Sequence, residues 1–149
     1  MDTIQILKNI KRDSISQKNF KGVFPRDFLP KKFKLPTSFI ANTENSKSEG
    51  QHWLAFFIDN NGKLDFFDPM GFPPEFYKLD DYCDSISLSV VFNKIQFQSF
   101  FSNYCGFYCL LFIFVKSRNK LFNSKVFTYN YKKNDLIVKK LIKENFFVF

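Results

Sequence analysis

The sequence predicts an α+β fold in which a small, mostly antiparallel sheet packs on one central buried helix. Three stretches carry that reading. Residues 107–115 form a run of Phe, Leu, Ile and Val behind Cys105-Gly106, with Ser102-Asn103 before it and Lys116-Ser117-Arg118-Asn119 after it. A run that long between polar boundaries reads as a buried helix capped by Asn103 or Ser102. Residues 52–58 are apolar on both faces, as a central strand should be, and the Asp59-Asn60-Asn61-Gly62 turn returns the chain over residues 63–68 as a hairpin. Residues 135–145 place Leu136, Ile137, Leu141 and Ile142 among lysines, the pattern of an amphipathic closing helix.

The remaining elements follow in order. Ile4, Ile6, Leu7 and Ile10 give residues 3–11 an apolar stripe, so a short helix on the outside is expected there. Residues 20–36 mix Phe, Lys and Leu with Pro25, Pro30 and Pro36, which excludes a regular helix and predicts an irregular segment anchored by aromatics. Residues 37–42 read as a strand and 43–50 as a polar loop. After the hairpin, residues 69–74 end the strand, 75–81 start a helix, 87–92 read as extended or as a continuation of that helix, and 94–98 are extended. Residues 126–131 fit no single class, and 146–149 form an apolar tail. The chain shows no repeat and no linker, so residues 1–149 are expected to form a single domain.

Composition narrows the function. The chain has 149 residues, 45% of them hydrophobic, enough for one core. Its 23 phenylalanines are best explained by biased coding composition. A net charge of +8 favours contact with polyanions. Three cysteines without metal-type spacing, one histidine and no apolar leader predict a reducing compartment and no structural metal. No apolar run reaches the roughly 20 residues a bilayer requires.

The chemistry-bearing residues lie on the helix and the hairpin. Cys105 falls in the helix's first turn, where unpaired N–H groups and the helix dipole favour a thiolate. Gly106 leaves one side of the sulfur open to an approaching backbone. His52 and Asp68 are each eight residues from position 60, so an antiparallel hairpin turning near there makes them cross-strand neighbours. A one-residue slip would send them to opposite faces. A thiol, a histidine to take its proton and a carboxylate to orient the imidazole are the parts of a nucleophilic centre. Gln98, seven residues before Cys105, is placed to serve a developing oxyanion together with the Cys105 N–H. Taken singly, a strand histidine is more often structural and a buried helical cysteine more often inert. Their combination is what points to catalysis.

The motifs Gly50-Gln51-His52-Trp53-Leu54-Ala55-Phe56, Phe67-Asp68-Pro69-Met70-Gly71-Phe72, and Gln98 with Cys105-Gly106-Phe107-Tyr108-Cys109 together resemble the adenovirus endopeptidase (adenain) family of cysteine proteases, including versions from Maverick/Polinton elements. The resemblance begins near Gly22-Val23-Phe24-Pro25 and runs to about Arg118. It implies Cys105 as nucleophile, His52 as general base, Asp68 as the acidic third member and Gln98 as oxyanion donor. Trp53 and Gly106 would line the substrate site, Trp53 serving core packing as well. Gln96 and Asp65 are the competing amide and acid; spacing sets the first aside and strand parity the second. Cys109, one turn below Cys105, is expected to face the core without chemistry.

The resemblance further implies a maturation protease that cleaves viral structural precursors at small-residue, Gly-containing sites. The sequence requires no cofactor; the resemblance allows DNA as an activator, met by Lys31-Lys32-Lys34, by Lys116-Arg118-Lys120 and by Lys132-Lys133 with Lys139-Lys140-Lys143, and the slightly favoured reading of these groups is a solvated face. The family's activating peptide pairs with an enzyme cysteine, and Cys83, the spare one here, does not match that position. Two other readings share these features. One is a peptidase that deconjugates ubiquitin-like tails; the other is a DNA-binding protein on a protease fold.

Overall fold

A computed structural model describes residues 1–122 and 124–144; the apolar tail at 146–149 lies outside them. Two short helices, α1 (Thr3–Lys11) and α2 (Ser14–Gln17), lead into strands β1 (Phe20–Phe24), β2 (Thr37–Asn42), β3 (Trp53–Ile58) and β4 (Lys63–Phe67). Helix α3 (Asp80–Ile86), strand β5 (Ser89–Phe92) and helices α4 (Cys105–Lys116) and α5 (Tyr131–Glu144) complete the chain.

The five strands stand in sequence order. The central β2–β3 and β3–β4 pairs are antiparallel, and β1 and β5 join the edges in parallel. The α+β class is as expected, and β1 is an addition, since residues 20–24 were read as irregular. Pro25 stops that strand, and Gly22 (φ 148°) sits where its register with β2 shifts. The 94–98 stretch, in contrast, forms no strand.

Alternation along β3 and β4 divides the core in two. Ala55, Phe57 and Phe67 face α4, which is buried over nearly its whole length, whereas Leu54, Phe56, Ile58, Leu64 and Phe66 face α3 and the chain before β2. Phe67 stacks on Phe112, with centroids 4.6 Å apart and rings 10° from parallel, which fastens the hairpin to the helix. At the other end of α4, Arg118 donates to both Asp13 oxygens, at 2.8 and 3.0 Å. Helix α1 is peripheral, as its stripe predicted, but it buries Ile6 and Ile10 completely or nearly so. Helix α5 begins four residues before its predicted start. Its Asp135 accepts from Tyr108 of α4 at 2.9 Å.

Candidate active site

The first turn of α4 carries Cys105. Its cap is Tyr104, whose carbonyl receives the N–H groups of Phe107 and Tyr108. Neither Asn103 nor Ser102 caps the helix: no side-chain cap is made, and the Ser102 hydroxyl donates to Ser99 instead. This corrects the sequence reading. A side-chain cap would take first-turn N–H groups; here Phe107 and Tyr108 give theirs to the Tyr104 carbonyl, and the Gly106 N–H helps to lower the Cys105 thiol.

Cys105 is only 6% exposed. Burial alone would push its thiol up. A hydrogen bond with His52, the charge on that ring, and the N–H groups of Trp53 and Gly106 together outweigh burial and hold the thiol below its ordinary value. His52 responds in the opposite sense. Burial lowers it, but bonds to Asp68 and Cys105 raise it to about 9. The two shifts have one cause, the mutual interaction of sulfur and ring, and both favour the thiolate–imidazolium form.

Asp68 is fully buried and every oxygen is engaged. Its Oδ1 accepts from His52 Nε2 at 2.6 Å and from the Met70 N–H at 2.9 Å. Oδ2 accepts from the Phe72 N–H at 3.0 Å and from the Tyr77 hydroxyl at 2.8 Å. With Nε2 on the carboxylate, Nδ1 is the ring nitrogen left for the sulfur. The register corrects one detail. Ala55 pairs with Phe67 and Ile58 with Leu64, so Asp68 continues opposite Leu54, and His52 reaches it diagonally from two residues away. Asp68 stands just beyond the last β3–β4 pair and His52 just before β3, and the parity that puts them on one face is kept.

Tyr77 and Asn93 are site residues that the sequence did not reveal. Asn93 accepts from the Asp68 N–H at 2.9 Å and donates to its carbonyl at 2.5 Å. Neither residue sits in a motif with recognisable spacing. The turn after Asp68 was legible, because an aspartate before Pro-x-Gly accepts from nearby N–H groups. Gly71 is required twice over: its φ is +80°, and a Cβ there would lie 2.9 Å from the Ile95 carbonyl carbon.

That close approach positions Gln98. The N–H groups of Phe97 and Gln98 both donate to Pro69 O, and the Phe97 carbonyl accepts from Tyr108 and Asn134. Irregular backbone is thereby stitched to the Asp68 turn on one side and to α4 and α5 on the other. The buried Gln98 side chain donates one N–H to Ser102 O at 2.8 Å, and its Oε1 has no partner among the described residues. A carboxamide carries a second N–H. Gln96 spends its own amide on Gln98 O at 2.8 Å.

Trp53 contributes backbone and ring. Its N–H points to Cys105, its carbonyl accepts from the Cys109 thiol at 3.3 Å, and its indole N–H donates to Met1 O at 2.9 Å. Gly106 does not present an open face. A Cβ there would lie 3.0 Å from Met1 Cβ and 3.2 Å from its sulfur, so Met1 covers the position that was expected to stand open.

No family model matches the chain, and no curated protein does. Among solved structures, the crystal structure of the selenomethionine ASFV pS273R protease matches with a TM-score of 0.55 and 19% identity, over 95% of this chain and 66% of that one. The likeness is one of fold. This chain thus spans just under two thirds of that protease's length.

On that shared fold the remaining residues are distributed as follows. Asp65 faces away from Asp68 and pairs with Lys116 and Lys63. Lys116 and Arg118, expected among the DNA-facing cations, are therefore engaged within the chain, Arg118 with Asp13. Cys109 is completely buried, and burial drives its thiol well up. Cys83 is also buried, in the second cluster, and its thiol is pushed up to about 12. Among the described residues no three His, Cys, Asp or Glu side chains are grouped to hold a metal, and no helix is long and apolar enough to cross a membrane.

Proposed function

We propose that this chain is a cysteine endopeptidase of viral or virus-like origin, in which Cys105 attacks a peptide carbonyl. The observation that carries the reading is the 2.6 Å His52–Asp68 contact beside Cys105, where the interaction of sulfur and ring lowers the thiol and raises the imidazole. The fold shared with the ASFV pS273R protease supports it, as do the motifs that resemble adenain.

In this reading the Cys105 thiolate adds to the scissile carbonyl. The oxyanion receives the Cys105 N–H and the second N–H of Gln98. Protonated His52, kept in register by Asp68, gives its proton to the departing amine. Water then attacks the thioester with His52 as base and regenerates the thiol. Trp53 and Gly106 flank the bond, and the crowded aromatic surroundings suit small residues such as Gly in virion or capsid precursors. DNA is proposed as an activator that uses the lysines outside the Asp65 and Asp13 pairs, and no metal is assigned a role.

The test is hydrolysis of a fluorogenic peptide panel by wild type, Cys105→Ala and Gln98→Ala, with and without duplex DNA. Turnover that vanishes with Cys105→Ala and falls on the order of 10²-fold with Gln98→Ala is expected. Cleavage of large-residue sites with Gly sites untouched would overturn the specificity. Absence of any turnover, with or without DNA, would overturn the enzyme.

A further inference from the structure

The seat between Trp53 and Gly106 is filled by the chain itself. The Met1 carbonyl takes the Trp53 indole N–H at 2.9 Å, and the Met1 side chain lies over Gly106 at distances a Cβ would hardly tolerate. Asp2 then starts α1: its carboxylate accepts from the Gln5 N–H at 2.8 Å, and the Gln5 side chain answers the Asp2 N–H at 3.0 Å. Ile6 and Ile10 of that helix are buried in the α4 core. Met1 is therefore held against the first turn of α4 by a folded, anchored element.

A groove of about 670 Å³ continues from this point, lined by Met1, Gln5, Phe24, Asn42, Gly50 and Trp53 among others. It runs from Met1, which lies against Gly106, and Trp53, past Gly50 and the loop before it, to the end of β1. A peptide that reaches Cys105 along this groove meets Met1 before it meets the sulfur. The interactions Met1 makes, a carbonyl on an indole N–H and a side chain on a bare glycine face, are those an extended peptide would make.

We propose that this seat is a substrate subsite for an extended peptide, and that residues 1 and 2 compete with the substrate for it. The proposal rests on the peptidase reading, and Trp53 separates the two experimentally. It is the only tryptophan in the chain, and its indole is bonded to the occupant, so its emission reports what fills the seat.

The experiment uses the Cys105→Ala chain, so that binding is read without chemistry. A hexapeptide with Gly at its two central positions is titrated while Trp53 emission is followed. The same titration is made with Met1→Ala added, which keeps the Asp2 cap, and with a chain beginning at Thr3. Binding about tenfold tighter with Met1→Ala, and at least as tight in the chain beginning at Thr3, is expected when one half-buried apolar side chain gives up its seat. Equal affinity in all three chains, or weaker binding without Met1, would show a fixed wall instead of a competitor and would overturn the proposal. In parallel, in chains that keep Cys105, iodoacetamide, too small to need the seat, should alkylate that sulfur at the same rate with Met1 as with Met1→Ala. Slow alkylation in both would count against the peptidase reading and would leave the binding result standing.

Discussion

Cys105 and Cys109 stand one turn apart on α4, and both are buried, yet their thiols are driven in opposite directions. Burial opposes the thiolate at both. At Cys109 nothing answers it: the sulfur donates to the Trp53 carbonyl, and the nearby charges of Cys105 and Asp68 push the thiol further up. At Cys105 the same backbone residue turns its N–H to the sulfur, and His52 supplies a proton and a charge. The lesson is that burial pushes both thiols up, and the groups around each sulfur decide whether that push is overcome.

That comparison can be broken most directly by substitution. Cys105→Ala should reduce peptide turnover by at least ~10³-fold, whereas Cys109→Ala should leave turnover within a few-fold and cost about 1 kcal/mol of stability from a small cavity. Turnover measured beside a urea melt checks both halves. Equal losses of turnover would dissolve the contrast.

The next effect is smaller and more diagnostic. In His52→Ala, Cys105 keeps its burial and loses its largest opposing partner, so its alkylation rate at pH 7 should fall on the order of 10²-fold toward that of Cys109. Peptide mass spectrometry resolves the three cysteines. In wild type the sign of each shift fixes the pH profile. Rate should rise at a pH below the ~8.5 of a free thiol, because Cys105 is held low, and turnover should fall again as pH passes about 9, where His52 loses the proton it donates.

Asp68→Asn tests how far the imidazole depends on its carboxylate. The change removes the charge that raises His52 and puts an N–H₂ among four donors, so the alkaline limb should move below pH 9 and stability should drop by about 1–3 kcal/mol. A pH–rate profile with a thermal melt measures both. A profile that does not move would make Asp68 a structural residue alone.

The smallest change sharpens the picture most. Tyr77→Phe removes one hydrogen bond to Asp68 and leaves the ring, whose centroid lies 6.2 Å from that of His52. About 1 kcal/mol of stability and a shift of the alkaline limb in the same direction as Asp68→Asn, but smaller, are expected. A stability loss without any shift would separate Tyr77 from the site.

The sequence by itself determined the central helix, the β2–β3–β4 hairpin system and the closing helix, because each writes a periodicity or an unbroken apolar run into consecutive residues. It also brought His52 and Asp68 to one face, since strand parity survives a small error in register. Tertiary structure alone decided the rest. The β1 edge strand owes its existence to its neighbour β2, and a segment of Phe, Gly and Val ahead of a proline carries no pattern that announces it. The position of Gln98 depends on Gly71 admitting the Ile95–Gln96 backbone, a contact between residues 24 or more apart in the chain. Tyr77 and Asn93 hold Asp68 from loops that have no period to read, and Met1 reaches Gly106 across more than a hundred residues. Local propensity acts between near neighbours, whereas a site assembled from five separate segments is fixed only when the core has closed around it.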